Sequence, residues 1–195
     1  METKWLKETD IKAAAELLRQ GEVVSFPTET VYGLGADATN DQAVKKIYEA
    51  KGRPADNPLI IHVADLDQIA EYAVEVSEKA ETVMQHFWPG PCTIVLKKKG
   101  PLAPTVTAGL STVGIRMPSH PIALELIRAC GKPLAAPSAN SSGKPSPTAA
   151  EHVYRDLNGK ISGIIDGGET GVGLESTVLD LSNPDKPAIL RPGGI

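Results

Sequence analysis

Two cations flank a glycine in the segment KGRPADNPLIIH (51–62), directly before an apolar run. Lys51 and Arg53, held by a helix end and by the kink of Gly52 and Pro54, could bind phosphate oxygens, with arginine supplying a bidentate fork. Taken alone, such a pair is more often two solvated surface charges, because most surface charges do nothing specific. The segment is therefore a candidate phosphate site that needs a second element beside it.

The loop APSANSSGKPSPT (136–148) is a candidate for that second element, because it follows a predicted buried strand. It presents Ser138 and Asn140, and then further serines, a glycine and a lysine. Small hydroxyls and backbone N–H groups in a loop shaped by Pro and Gly can form an anion-binding nest. A plain loop is the alternative, although a mobile linker would not need a strand feeding directly into it. Together the two segments indicate a site for a phosphate-bearing ligand.

Charge is distributed unevenly along the chain. The net charge is −4, yet the stretch between Thr82 and Ala150 holds seven Lys and Arg against one acidic residue, Glu125. This stretch has a net charge of +6, which leaves −10 for the rest of the chain. Like charges repel and are screened only over about 8–10 Å at physiological salt. The segregation therefore predicts that something negative binds to this stretch.

A third polar segment, PTETVYG (27–33), follows a short β-branched strand. Pro27 ends the strand and Gly33 permits a tight return of the chain. The residues between them present polar groups at a strand end, where α/β sheets usually carry their sites. These residues are Thr28, Glu29, Thr30 and Tyr32. An ordinary turn is an equally good interpretation of this segment alone.

Familiar nucleotide and metal motifs do not fit. The segment SSGKPS (141–146) has Pro145 where a Walker loop has Ser or Thr, and GGETGVGLEST (167–177) has Ser176 where a GxGxxG motif ends in glycine. The histidines lack metal-ligand spacing, so we expect no zinc site; they are His62, His86, His120 and His152. If ATP binds, it binds in some other way.

The helix-capping and helix-breaking residues, together with the spacing of apolar residues, predict alternating helices and strands in a single domain, residues 1–195. Predicted helices are 11–20, N-capped by Asp10 and ended by Gly21, then 40–49, 66–73, 77–87, 119–131 and 149–157, the last opened by a capping box of Thr148 and Glu151. Predicted strands are 22–27, 58–63, 93–97, 113–117, 134–139, 162–166, 176–181 and 187–191. The late strands lack the helices that purely parallel crossovers need, so we expect an α/β domain with a mixed sheet.

Composition narrows the class of protein further. At 195 residues and 41% hydrophobic content, the chain can bury the core of one domain. Aromatic residues make up only 4%, which argues against stacking platforms for single-stranded nucleic acid. Cys92 and Cys130 form no CxxC motif, which fits two unpaired thiols in a reducing compartment. The N-terminus has no signal-peptide core, and no apolar run approaches the roughly 20 residues of a membrane span. We expect a cytoplasmic protein that does not enter a membrane.

Seven ordered motifs resemble those of the YrdC-like threonylcarbamoyl-AMP synthases, over about residues 5 to 195. They are PTETVYGL, KGRPADNPL, WPGP (88–91), GIRMP, PSANSSGKPSPT, ESTV and LRPGG. The resemblance implies an α/β (α+β) fold of the YrdC/RibB type, in which helices flank a twisted, mixed parallel and antiparallel sheet around a large positively charged cavity. It also implies an enzyme that combines L-threonine, bicarbonate and ATP into threonylcarbamoyl-adenylate and releases pyrophosphate.

The resemblance further implies a role for individual residues. The phosphates of ATP would be bound by Lys51, Arg53, Ser138 and Asn140, of which Lys51 and Arg53 would be catalytic. ATP would also contact Asn57, Thr112, Ser146 and Arg191. Threonine would be surrounded by Thr30, His62, Arg116 and Ser176. This division is chemically sensible, because Arg116 can pair with the amino-acid carboxylate while Thr30 and Ser176 read its hydroxyl or the carbamate.

The implied reaction needs positioning and charge neutralisation rather than a covalent nucleophile. We expect that the protein itself holds no metal ion and that Mg²⁺ arrives bound to the nucleotide. The product would serve tRNA anticodon-loop modification through downstream threonylcarbamoyl-transfer proteins, and tRNA itself is a further candidate partner. Longer members continue after LRPGG into a linker and a second domain, whereas this sequence stops at Ile195. A short form and a truncated protein both fit.

Two other functions fit some of these features. An RNA-binding module would use the basic stretch to meet phosphates, and its affinity would fall steeply with salt, whereas a small-ligand pocket would saturate with ATP and threonine. A carbamoyl-transfer domain of the hydrogenase-maturation type resembles the chain around residues 51, 53, 138 and 140. Such domains are usually embedded among zinc-finger and acylphosphatase-like segments, which this sequence lacks.

Overall fold

The computed structural model describes residues 1–171 and 173–193. Val172, and Gly194 and Ile195 at the end of the LRPGG motif, lie outside the described residues. The helices are α1 Ile11–Arg19, α2 Asp41–Lys51, α3 Asp67–Tyr72, α4 Glu78–Phe87, α5 Pro104–Thr107, α6 Pro121–Cys130 and α7 Ala150–Leu157, with a 3-10 turn at Glu8–Asp10. The strands are β1 Lys4–Leu6, β2 Val24–Pro27, β3 Tyr32–Asp37, β4 Ile60–His62, β5 Ala73–Val74, β6 Cys92–Lys98, β7 Thr112–Arg116, β8 Leu134–Ala135, β9 Gly163–Ile165, β10 Thr177–Asp180 and β11 Ala188–Arg191.

The strands form one mixed sheet in the order β1-β9-β2-β3-β8-β4-β7-β6-β10-β11, with β5 paired to β6. The pairs β1/β9, β2/β9, β4/β7 and β6/β10 are parallel. The pairs β2/β3, β3/β8, β4/β8, β6/β7 and β10/β11 are antiparallel. The prediction of an α/β domain with a mixed sheet is confirmed.

Helices flank this sheet because their apolar faces are buried against it. One core cluster contains the buried residues of α1 and α6 together with Val24 and Phe26 of β2. The other contains the buried apolar face of α2 together with Leu34 of β3 and Ile61 of β4. No helix among the described residues is both long and apolar enough to cross a membrane.

Both ends of helix α2 are set by capping residues, Asn40 at the start and Gly52 at the end. The Asn40 Oδ1 accepts a hydrogen bond from the Ala43 N–H at 3.2 Å, and Gly52 adopts a left-handed φ of +68° that glycine takes without strain. The helix runs two residues beyond its predicted end at 49, so Lys51 belongs to its last turn. Lys51 is therefore only 4% exposed, instead of lying on a solvated helix end.

The prediction of a tight return at Gly33 was wrong. The chain turns earlier, at Thr28–Val31, where the Thr28 side-chain oxygen accepts hydrogen bonds from the N–H groups of Thr30 and Val31, both at 3.2 Å. Gly33 then lies inside β3, a strand that the sequence did not predict. Glycine is a poor strand former, but Gly35 is required here because an added Cβ would lie 2.6 Å from Phe26 Cε1.

Two smaller predictions also need correction. The capping box of Thr148 and Glu151 is wrong, because Ala149 occupies the N-cap position of α7 and makes no side-chain capping bond. The strand predicted over 134–139 ends at Ala135. Beyond it the Ala136 N–H donates to the Ile60 carbonyl oxygen at 3.2 Å, and an isolated bridge joins Ser138 to Gly33. Pro137 has no N–H to donate to a strand partner, which releases the chain into the loop.

Candidate functional site

The strand order brings the predicted site residues to one cavity of about 250 Å³. Nine of the twelve predicted residues line it: Thr30, Lys51, Arg53, Asn57, His62, Arg116, Ser138, Ser176 and Arg191. His62 and Arg116 are register partners at the ends of the parallel strands β4 and β7. The turn between β2 and β3, the end of α2 and the segment before β10 supply the rest of the wall.

Lys51 is a buried cation in the wall, as exposed to solvent as Arg116, at 4% each. Its Nζ donates to the Ser138 carbonyl oxygen at 2.5 Å and to Asn140 Oδ1 at 3.3 Å. Burial, together with the nearby positive charge of Arg53, lowers the pKa of the Lys51 ammonium from 10.5 to about 8. The ammonium has neutral oxygen partners only, so it can accept an anionic partner such as a phosphate oxygen.

Asn140 does not line the cavity, and its side chain holds the loop together. Its Oδ1 accepts from Lys51 Nζ and from Ser138 Oγ, the latter at 2.5 Å. Its Nδ2 donates to the carbonyl oxygens of Ser141 at 3.0 Å and Lys144 at 2.9 Å. The amide thus has protein partners at both ends.

Arg116 is buried and already holds three protein partners. Its guanidinium donates to a carboxylate oxygen of Glu29, to the Gly90 carbonyl oxygen at 3.2 Å and to Thr30 Oγ1 at 3.4 Å. The other Glu29 oxygen accepts from the Ser119 N–H at 3.1 Å. Sequence reasoning placed Glu29 among polar residues at a strand end but gave it no role. No local signal could have identified its partner, because Arg116 lies 87 residues away.

His62 is 3% exposed and lines the same wall. Burial, with a smaller contribution from the charge of Arg116, lowers its pKa to about 3, so the imidazole is neutral at physiological pH. Its Nδ1 has no hydrogen-bond partner among the described residues. A buried imidazole nitrogen without a partner is costly unless a ligand or water supplies one, which makes it a ready contact for a polar ligand.

Ser176 and Arg191 form another part of the lining. The Arg191 guanidinium donates to the Ser176 carbonyl oxygen at 3.0 Å and to Ser176 Oγ at 3.2 Å. It also pairs with the Glu175 carboxylate at 2.7 Å, and Ser146 Oγ lies 3.5 Å from the other Glu175 oxygen. Ser146 is therefore linked to the site without lining it. Glu175 is the one carboxylate among the described lining residues and was missed from sequence.

Thr112 is the one predicted site residue that neither lines the cavity nor shares a described side-chain hydrogen bond with a residue that does. It begins β7, two residues before Gly114, which is the register partner of Ile60 in β4. Ile60 lines the cavity and Thr112 does not. Its assignment to ATP stays a prediction.

The basic stretch supplies only one of the cations in the cavity wall, and the prediction that something negative binds to this stretch stays a prediction. Of its seven cations only Arg116 lines the cavity, whose other cations, Lys51, Arg53 and Arg191, come from outside the stretch. Four of the seven cations pair with carboxylates from outside the stretch: Lys97 with Glu75, Arg116 with Glu29, Arg128 with Asp65 and Lys144 with Asp156. Charge counted along the sequence ignores the partners that folding supplies.

The fold and site define a mixed α/β domain with a cavity whose wall carries four cations and one carboxylate. The Sua5–YciO–YrdC family model, which bears the description "Telomere recombination", matches residues 16–193. The chain belongs to this family.

Comparison with individual proteins agrees with this membership. The chain is 63% identical over 189 residues to the threonylcarbamoyl-AMP synthase of Bacillus subtilis (strain 168), covering 96% of this chain and 54% of that protein. It is 57% identical to the enzyme of the same name from Pyrococcus abyssi, covering 97% of this chain and 56% of that one. The crystal structure of P. abyssi Sua5 complexed with L-threonine superimposes with a TM-score of 0.95 at 54% identity, over 100% of this chain and 58% of that one. The chain thus spans about half the length of these relatives.

Proposed function

We propose that this chain catalyses the synthesis of L-threonylcarbamoyl-AMP from L-threonine, bicarbonate and ATP, with release of pyrophosphate. The observation that carries the proposal is the 63% identity to a threonylcarbamoyl-AMP synthase over 96% of this chain. The product would supply the threonylcarbamoyl group for an adenosine in the anticodon loop of tRNA, through downstream transfer proteins. ATP, threonine and bicarbonate are the proposed ligands.

The nucleotide is assigned to the side of the cavity formed by Lys51, Arg53 and Ser138. Two cationic side chains and a hydroxyl line the same cavity there, which suits a triphosphate. Arg191 lines the cavity as well, and its present partner Glu175 is an anion that a phosphate could replace. Asn57 lines the cavity close to the end of α2 and would contact the nucleotide beyond its phosphates.

Threonine is assigned to the side formed by Thr30, His62, Arg116 and Ser176. P. abyssi Sua5, which shares this fold at a TM-score of 0.95, was crystallised with L-threonine. Arg116 would bind the amino-acid carboxylate, and Glu29 holds the guanidinium in place for that contact. The unpartnered Nδ1 of neutral His62 would bind a polar group of the amino acid.

The reaction we propose has two steps, and neither uses a protein nucleophile. Threonine's neutral amine attacks CO₂ derived from bicarbonate, and the resulting N-carboxylate loses the amine proton to solvent. A carbamate oxygen then attacks the α-phosphorus of ATP, and the bond from that phosphorus to the departing pyrophosphate breaks. Lys51 and Arg53 neutralise charge on the phosphorus and on the leaving group.

Mg²⁺ would accompany the triphosphate. The described residues contain no group of three His, Cys, Asp or Glu side chains arranged to hold a metal ion. Phosphate oxygens and water would then be its main ligands, as is usual for this ion. Its contribution would be to neutralise charge on the β- and γ-phosphates.

The test is mass spectrometry for threonylcarbamoyl-AMP after incubation of the chain with MgATP, threonine and bicarbonate. We expect a product that disappears when any one component is omitted. Lys51→Ala and Arg53→Ala should each reduce turnover by orders of magnitude while the fold is retained. Near-normal turnover in either variant would refute the catalytic role of that residue.

Two further experiments separate the alternatives. Formation of carbamoyl-AMP from MgATP and an added carbamoyl donor, carbamoyl phosphate, without threonine would favour the hydrogenase-maturation alternative. Absence of product, combined with RNA affinity that falls steeply with salt, would favour an RNA-binding module.

A further inference from the structure

The loop 138–144 is folded around the Asn140 side chain and joined to the rest of the protein on two sides. On one side the Ser142 N–H donates to the carbonyl oxygen of Lys51, the last residue of α2, at 2.8 Å. The Lys51 Nζ in turn donates to the Ser138 carbonyl oxygen. The position of the Lys51 ammonium and the shape of this loop therefore depend on each other.

On the other side the loop is held by Asp156, to which neither the motifs nor the family resemblance gives a role. Its Oδ2 accepts from the Ser141 N–H at 3.0 Å, and its Oδ1 lies 4.0 Å from Lys144 Nζ. The backbone hydrogen bond from Ser141 is the main reason that the pKa of Asp156 lies below its usual 3.8. A charged carboxylate that accepts from a backbone N–H makes one of the stronger hydrogen bonds in proteins.

Asp156 can act as a fixed anchor because its helix is fixed. On α7, Val153 and Leu157 are both fully buried in the core. The Asp156 side chain is 20% exposed and does not line the cavity. Its carboxylate contacts Ser141 and Lys144 and would repel a phosphate, so it is not itself a phosphate ligand.

We propose that Asp156 is a positioning residue for the nucleotide site, which holds Ser141 so that Ser138 and Asn140 meet the Lys51 ammonium. Asn140 then belongs to the same support, since all its hydrogen bonds stay within the loop and Lys51. The proposal rests on the proposed function only in taking ATP as the ligand of this cavity. It assigns Asp156 no contact with substrate.

The experiment compares four variants of the full chain by calorimetric titration with MgATP and, separately, with threonine. Asp156→Ala removes the acceptor, and Asp156→Asn keeps an oxygen for Ser141 but removes the charge. Lys144→Met removes only the 4.0 Å ion pair. Glu151→Ala removes an exposed carboxylate from the same helix and is the matched control.

We expect Asp156→Ala to weaken ATP binding by about tenfold, in proportion to one charge-assisted hydrogen bond, and to leave threonine binding within about twofold of wild type. Asp156→Asn should recover most of the loss, and Lys144→Met and Glu151→Ala should bind ATP like the wild type. The midpoint of the pH dependence of ATP binding should shift in Asp156→Ala, because Lys51 loses its fixed oxygen partners. The charge of Asp156 also raises the pKa of Lys51 directly, so Asp156→Asn separates the two causes. A shift caused by lost positioning should be largely recovered in Asp156→Asn, whereas an equal shift in Asp156→Asn would show an effect of charge alone and would contradict the proposal.

Several results would overturn the proposal. Asp156→Ala could bind ATP with wild-type affinity, or lose affinity for ATP and for threonine equally. Asp156→Asn could bind ATP no better than Asp156→Ala, or Lys144→Met could bind ATP as weakly as Asp156→Ala. The readout is binding, so it separates this proposal from the synthase activity. A wild-type chain that binds ATP but makes no product contradicts the proposed function alone, whereas one that binds no ATP contradicts both.

Discussion

Replacing Lys51 with methionine is expected to remove a specific pH dependence from the stability of the protein. Lys51 is 4% exposed, and its pKa in the folded protein falls from 10.5 to about 8 through burial and the charge of Arg53. In the unfolded chain the same ammonium is hydrated and binds its proton more tightly. The unfolded state therefore holds more protons between about pH 8 and 10.5, and the free energy of unfolding rises with pH across this window.

The size of the effect follows from the two pKa values. With about 8 in the folded state and 10.5 in the unfolded state, proton linkage gives a gain of about 2 kcal/mol between about pH 7 and about pH 9.5. The sign is opposite to that of a lysine stabilised by an acidic partner, whose contribution is lost as pH rises. Methionine has a similar length and no titrating group, so the Lys51→Met variant lacks this gain.

The assay is urea unfolding of both proteins at the two pH values, followed by tryptophan fluorescence. The wild-type free energy of unfolding minus that of Lys51→Met should rise by about 2 kcal/mol from about pH 7 to about pH 9.5, because other titrating groups contribute to both proteins alike. Lys45→Met is the matched control, since Lys45 lies on the same helix with its side chain 52% exposed. A difference that does not change with pH, or one that Lys45→Met reproduces, would refute the reasoning.

Three further predictions concern the cavity and the sheet. ATP binding at about pH 8.5 should be accompanied by uptake of a proton, because the triphosphate favours the charged form of Lys51. Calorimetric titrations in two buffers of different ionisation enthalpy measure the number of protons taken up, and equal binding heats in both buffers would contradict the prediction. Glu175→Gln should tighten ATP binding by about tenfold, because it removes a carboxylate that repels phosphate; calorimetry measures this, and unchanged affinity would count against it. Gly35→Ala should lower the free energy of unfolding by about 1–3 kcal/mol, because the new Cβ would meet Phe26, and urea unfolding measures this. Gly171→Ala, where no described atom lies within 4 Å, should be near neutral, and equal losses in both variants would contradict the packing argument.

Local sequence signals predicted elements well where neighbouring residues decide the structure. Asn40 and Gly52 delimit α2 through contacts within a few residues, and the helix lies close to where the sequence placed it. The same signals missed β3, because Gly33 and Gly35 disfavour a strand. Only the packing of Phe26 against Gly35 explains why glycine is needed there.

The candidate site was only partly predictable, and for the same reason. The residue types that could bind phosphate were recognisable, but of the seven cations in the basic stretch only Arg116 lines the cavity. Others are paired with groups such as Glu75 and Asp65, whose proximity depends on the fold. The roles of Glu175 and Asp156 were not predictable from the sequence, because their partners are brought to them by separate elements.

The sequence alone establishes which functional groups are present and which local elements carry them. These are a lysine at a helix end, a serine and an asparagine after a strand, and an arginine at the end of an apolar strand. Tertiary structure decides which of these groups meet. Lys51 and Ser138 share a hydrogen bond across 87 residues of chain, and Glu29 reaches Arg116 across another 87. Helix and turn formation depends on neighbours a few residues apart, whereas these contacts depend on strand order, which no local pattern encodes.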